Sequence, residues 1–223
     1  MPRVRTPGSD EARFADRAAA GRALAARLAP LRAAKPIVYA LPRGGVPVAT
    51  EIAAALAAPL DLLLVRKLGA PRSPEVALGA VVEGTPPETV RNPRIIAATG
   101  ADEAFISEAR EAALAEIARR RARYLAGRAP LDPRGRTVIV VDDGLATGAT
   151  ARAALVALRR RGAARLILAV PVAPADSLEA MQGAADEIAC LHVAAHFGGV
   201  GAFYDDFHQL SDEEVVQLLA AAG

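Results

Sequence analysis

The chain has 223 residues, 52% of them apolar, and a formal charge of only +2. This supports one sizeable core and a single domain, and it excludes a strongly basic chain with nucleic acid as its main partner. A single cysteine, Cys190, excludes an internal disulfide framework and suits a reducing, cytoplasmic setting. No apolar run reaches the roughly 18 residues of a membrane helix. Asp10, Glu11 and Asp16 argue against a transit peptide, despite the Arg- and Ala-rich start.

Taken in order, residues 9–31 have helical spacing. Phe14, Ala18, Gly21, Leu24, Ala25 and Leu28 form the inner stripe, and Arg13, Arg17 and Arg27 lie outside. Ser9 or Asp10 is the expected cap and Pro30 the stop. Residues 37–41 read as a strand, followed by the turn Pro42-Arg43-Gly44-Gly45 and a helix over 47–57. Two glycines after a strand let backbone N–H groups face an anion, and Arg43 adds a charge suited to phosphate oxygens. A second strand over 60–65 leads into 66–75, rich in Pro, Gly and charge. That segment is expected as an exposed flexible loop, a lid bearing Arg66, Lys67 and Arg72.

Short strands are expected over 77–83, 89–91 and 94–97, with Glu83 as an edge carboxylate, and then a helix over 102–125. Glu116 and Arg120 are spaced for an ion pair, and the run Arg119 to Arg121 with Arg123 suits a helix C-terminus. Further on come a helix over 149–161, a strand over 166–170, a loop over 171–174, a short helix over 177–182 and a core strand over 188–193. His192 and His196 form no metal constellation. The tail 197–208 gathers glycines with Phe203, Tyr204 and Phe207, which suit either stacking on a flat ring or an aromatic plug. Ser211 and Glu214 have capping-box spacing ahead of the last helix.

The most informative stretch is Thr137 to Thr150, Thr-Val-Ile-Val-Val-Asp-Asp-Gly-Leu-Ala-Thr-Gly-Ala-Thr. An apolar β-branched run is followed by two carboxylates, a glycine-bearing turn and a helix start. Free N–H groups and the positive dipole end at that helix start suit a phosphate. Paired acids would repel a bare anion unless the ligand also carries hydroxyls or a cation. A ribose 5-phosphate meets both demands. The alternative is a buried strand ending in an Asp-Gly turn with Thr147 as helix N-cap. The stretch matches neither a Walker A loop nor the dinucleotide Gly-x-Gly-x-x-Gly spacing.

Val138 to Thr150 resembles the phosphoribosyl-pyrophosphate (PRPP) motif of the type I phosphoribosyltransferases. Arg43-Gly44-Gly45 is similar to that family's pyrophosphate loop, and Arg66-Lys67 to the catalytic loop of its adenine and orotate members. The resemblance implies an α/β fold with a mainly parallel sheet, helices on both faces, a flexible lid loop and a small C-terminal hood. The core would cover about residues 37–193, with the hood from 194 joined by the N-terminal helix. It implies transfer of the phosphoribosyl group from magnesium-bound PRPP to a small nitrogen nucleophile, a nucleobase by analogy with the family, with release of pyrophosphate. Asp142 and Asp143 would hold the ribose hydroxyls and, through water, Mg²⁺. Residues Leu145, Ala146, Thr147, Gly148, Ala149 and Thr150 would hold the 5-phosphate. Arg43, Gly44, Gly45, Arg66 and Lys67 would neutralise pyrophosphate. Phe203 and Tyr204 would contact the base and Asp205 the metal. A non-proline cis peptide at Pro42–Arg43 and a homodimer are further expectations, with neither nucleic acid nor membrane as partner. The alternative on the same fold is a PRPP- or nucleotide-sensing regulator without turnover.

Overall fold

The computed structural model describes residues 13–222 and the backbone of residues 3–5. A six-stranded parallel sheet runs in the order β1-β9-β8-β7-β2-β3. Its strands are β1 (Arg3–Arg5), β2 (Ile37–Ala40), β3 (Leu60–Leu62), β7 (Thr137–Val141), β8 (Arg165–Pro174) and β9 (Glu187–Ala194). The central strands are apolar throughout because both faces are covered. In β7, Ile139 and Val141 enter one core with α1 (Arg17–Leu28), α2 (Gly45–Leu56), α4 (Glu103–Leu125) and α7 (Asp212–Ala221). Val138 and Val140 enter the other, against α5 (Ala149–Arg160) and α6 (Ala175–Glu179). The expected α/β architecture with helices on both faces is therefore present.

Several boundaries differ from expectation. The first helix starts at Arg17, where Asp16 caps it by accepting from the Ala19 N–H; Ser9 and Asp10 lie outside the described residues. Arg17, expected on the outer face, is buried. The stretch 66–75 is not an irregular loop. It forms the hairpin of β4 (Val65–Ala70) and β5 (Ser73–Val82), which with β6 (Glu88–Arg91) makes a second, antiparallel sheet. The hairpin turns at Pro71-Arg72, where Arg72 takes a φ of 64°. Residues 94–97 belong to helix α3 (Pro93–Thr99), capped by Asn92 with Pro93 in its first turn. Strand β8 continues through 171–174, expected as a loop. Past Ala169 its pairing with β7 ends, and on that side Val172 accepts from the Leu145 N–H, so Pro171 interrupts no strand ladder there.

Other expectations hold. The Pro42–Arg43 peptide is cis. Glu116 pairs with Arg120 at 2.7 Å, the Ser211–Glu214 capping box opens α7, and Cys190 is buried. No described helix is long and apolar enough to cross a membrane.

Candidate functional site

Parallel strands bring the ends of β2 and β7 together, since Ala40 pairs with Val141. The loops that follow them therefore meet at the sheet's carboxyl edge, where ligands bind in open α/β sheets. A cavity of about 200 Å³ opens there, lined by Asp142, Gly144, the run from Leu145 to Ala151, and Val200. Gly148, at φ 70°, turns the chain into α5. It is the N-cap and has no side chain to satisfy the first turn. Thr147 does not cap the helix, contrary to the simpler reading of the turn. Leu145 donates to the Val172 carbonyl at 2.9 Å and Ser177 donates to the Ala146 carbonyl, which pins the turn from β8 and α6. No protein acceptor meets the N–H groups of Thr147, Gly148, Ala149 and Thr150 among the described residues. These donors and the helix dipole make an anion site at the cavity floor.

The two aspartates differ. Asp142 opens on the cavity and accepts the Asp143 N–H at 2.9 Å. Burial, and then the neighbouring Asp143 charge, push its carboxyl well above the usual carboxylate range. Asp143 is not among the residues lining that cavity, although its carboxyl meets that of Asp142. Its Oδ2 pairs with Arg17 Nε at 2.8 Å, with the two side chains 14% and 9% exposed. Arg17 also donates to the His208 carbonyl and lies 3.8 Å over the Phe207 ring. Neither the separation of Arg17 from Asp143 in sequence nor its helical position signalled this pair.

The loop after β2 packs tightly beneath. A Cβ on Gly44 would fall 2.0 Å from Asp143 Oδ2, and one on Gly45 would fall 2.5 Å from the Val141 carbonyl. Gly45 donates to the Leu41 carbonyl, so its N–H is not available to an anion. Arg43 turns toward α7, where its Nη1 is 3.7 Å from Asp212 Oδ1. Lys67 does approach the phosphate-suited turn. It lines a 210 Å³ cleft with Thr147, Ala149, Thr150 and Met181, while its Nζ donates to the Glu75 carbonyl. Strand alternation directs Arg66 to the opposite face of β4.

In the tail, Tyr204 is buried rather than open to a flat ligand. Its hydroxyl donates to the Asp143 carbonyl at 2.6 Å, and its ring packs against Phe14 and Phe207. Phe203 packs on Phe197 and His192. Asp205 pairs with Arg13 at 3.1 Å. The tail reaches the cavity through Val200, whose side chain would clash with a Cβ on Gly144; no sequence signal marked that residue. Among the described residues no group of three His, Cys, Asp or Glu could hold a metal. A magnesium ion at this edge would depend on Asp142 and on oxygens brought by the ligand.

A larger cavity of about 700 Å³ lies toward the amino ends of β7 and β8. Arg121 forms its base, bridging Asp61 at 3.3 Å and Glu83 at 2.9 Å. Asp61 also accepts the N–H groups of Leu62 and Leu131. These acids already have protein partners, and the network joins β3, α4 and the end of β5.

Comparison with known proteins agrees with this geometry. A model of the phosphoribosyl transferase domain matches residues 15–208. Two Mycobacterium tuberculosis proteins, provisionally named as phosphoribosyl transferases, are 46% identical over 209 residues, covering 94% of this chain and 47% of theirs. The chain thus spans about half the length of those curated relatives. A crystal structure from Thermus thermophilus is 42% identical, with a TM-score of 0.82, covering 94% of this chain and 98% of that one. With the motif at the carboxyl edge of the parallel sheet and a match across most of its length, the chain belongs to the phosphoribosyl transferase domain family.

Proposed function

We propose that the protein transfers the 5-phosphoribosyl group of PRPP to a small nitrogen nucleophile and releases pyrophosphate. The observation that carries this reading is one cavity holding both the Asp142 carboxylate and the unpartnered N–H groups from Thr147 to Thr150. The N–H groups would hold the 5-phosphate. The ribose hydroxyls and magnesium would favour the ionised form of Asp142, whose carboxylate would accept those hydroxyls and favour positive charge on the ring as the bond from C1 to pyrophosphate lengthens. The nitrogen lone pair forms the new bond to C1, and the electrons of the broken bond leave with pyrophosphate. Lys67, which lines the adjoining cleft, would neutralise that leaving group, a duty the sequence resemblance also gave to Arg43 and Arg66. Magnesium, when bound with PRPP, would supply charge neutralisation at the pyrophosphate. The proton of a labile heterocyclic N–H would pass to the departing pyrophosphate or to water, so no strong protein base is needed.

Pyrophosphate release from magnesium-PRPP, measured across a panel of purine, pyrimidine and amine acceptors, tests the proposal. Turnover with at least one acceptor, lost in Asp142→Asn, is expected. PRPP binding without release for every acceptor would instead favour a sensor.

A further inference from the structure

We propose that Ser177 is a positioning residue for the phosphate turn: its hydroxyl, donated to the Ala146 carbonyl, aims the N–H of Thr147 at the 5-phosphate. This rests on the phosphoribosyl reading for the identity of the ligand, and deepens it by adding a residue that acts through the main chain.

Ser177 lies in α6, a helix of five residues, and is only 7% exposed. A serine hydroxyl in a helix ordinarily bonds a carbonyl of its own preceding turn or caps the helix start. Here Pro174 holds the cap position without a side-chain cap, and the Ser177 hydroxyl reaches a turn 31 positions earlier. What it holds there is one half of a peptide group. The Ala146 carbonyl and the Thr147 N–H share a rigid trans plane and point in opposite directions. A carbonyl tied back to α6 therefore turns the N–H the other way, where Ala146 and Thr147 line the 200 Å³ cavity. That N–H has no protein acceptor among the described residues. A hydrogen bond at the carbonyl also polarises the peptide, which strengthens the N–H as a donor. The Leu145 N–H is held by Val172, and the Gly148 carbonyl accepts from Arg152. Between those two points, among the described residues, the Ser177 bond is what ties the turn to the rest of the fold. Met181, fully buried just beyond α6, fills the space beside Gly148, where a Cβ would fall 2.8 Å from its Cε. Met181 thus stops the turn from sinking inward, and Ser177 stops it from swinging away.

The test is calorimetric titration of the full chain with ribose 5-phosphate, well below the melting temperature of every variant. Magnesium-pyrophosphate, added to protein already saturated with ribose 5-phosphate, is the control ligand for the rest of the site. Ser177→Ala is expected to weaken ribose 5-phosphate about 5- to 10-fold, less than outright loss of a charge-assisted hydrogen bond, because the N–H is misaimed and not removed. Pyrophosphate should stay within about twofold of the wild type, since its binding does not run through the Ala146–Thr147 peptide. Ser177→Thr keeps the hydroxyl and should bind ribose 5-phosphate within about twofold of the wild type, whereas Ser177→Cys, a weak donor of similar size, should lose as much as Ser177→Ala. In nitrogen-15 spectra the Thr147 amide proton should move downfield when ribose 5-phosphate binds the wild type, and move less in Ser177→Ala. Should Ser177→Ala fail to fold, Ser177→Cys carries the same comparison. The proposal is overturned if Ser177→Ala binds ribose 5-phosphate like the wild type, if both ligands weaken alike, or if Ser177→Thr loses as much as Ser177→Ala. A wild-type chain that binds inorganic phosphate but not ribose 5-phosphate rejects the phosphoribosyl reading alone. Weaker phosphate binding by Ser177→Ala then supports the positioning role, and equal binding rejects it. A wild-type chain that binds neither rejects both.

Discussion

Replacing Arg121 with Met leaves a stem of similar length and removes the cation that bridges Asp61 and Glu83. The side chains of Arg121, Asp61 and Glu83 are 16%, 5% and 12% exposed, so little water replaces the lost partner. Removing one member of a buried pair costs about 3–5 kcal/mol. The lower end applies here, because Asp61 retains two N–H donors; about 3 kcal/mol corresponds to roughly 6–12 °C for a chain of this size. Glu83 suffers more, since its remaining donor is the Leu64 N–H at 3.4 Å. Burial already raises its carboxyl above 4.5, and Arg121 is the largest opposing influence. Without Arg121 the folded value rises further. A carboxyl raised in the fold contributes stability that is present below the unfolded value and lost as pH rises through the folded one. The variant's deficit should therefore be largest near neutral pH and shrink as the pH falls toward about 5. Urea melts at two pH values measure this, and Arg121→Met with Glu83→Gln should recover part of the loss at neutral pH. A deficit below about 1 kcal/mol, or one that neither acid nor Glu83→Gln relieves, would refute the reasoning.

Gly44→Ala places a methyl group 2.0 Å from Asp143 Oδ2, so both melting temperature and PRPP affinity should fall. Wild-type values in both would show that the loop does not press on that carboxylate. Burial pushes the Cys190 thiol up to about 11. It should resist Ellman's reagent at about pH 8 in the native protein and react once guanidinium unfolds it. Glu214, then Asp206, raise the exposed His208 imidazole above 6.5. Its small contribution is complete below that value and fades as pH rises through the folded one, so His208→Gln should flatten the melting temperature between about pH 6 and 8. An unchanged slope would count against these contacts.

Much of the architecture was legible because local chemistry and global packing agree. In 137–150, the apolar run, the acids, Gly148 and the helix start all point to one element order, and the capping box at Ser211 is equally local. In the hairpin 65–82 the strand over 77–83 was legible, but 66–75 was hidden because its Pro, Gly and charges resemble a loop, while its pairing depends on residues up to 17 positions away, as in Val65 with Val82. Helix α3 was missed although Asn92 and Pro93 carry its start signals, because Ile95 and Ile96 suggested a strand. The site's electrostatics were least legible. Arg17 and Arg121 sit on charged helices where an outward solvated arginine is the usual outcome, and their partners lie 126 and 60 residues away. Nothing in the helical period marks which arginine of 119–121 turns inward.

The Arg17 to His208 hydrogen bond spans 191 positions of sequence, and this sets an order in time. A ribosome releases the strands and the Asp142 turn well before it releases Tyr204 and His208. A nascent chain halted just past β9 would own the sheet and the acids yet lack the brace that orients them. The bond between Arg17 and His208 can therefore form only after every strand of the sheet has left the ribosome.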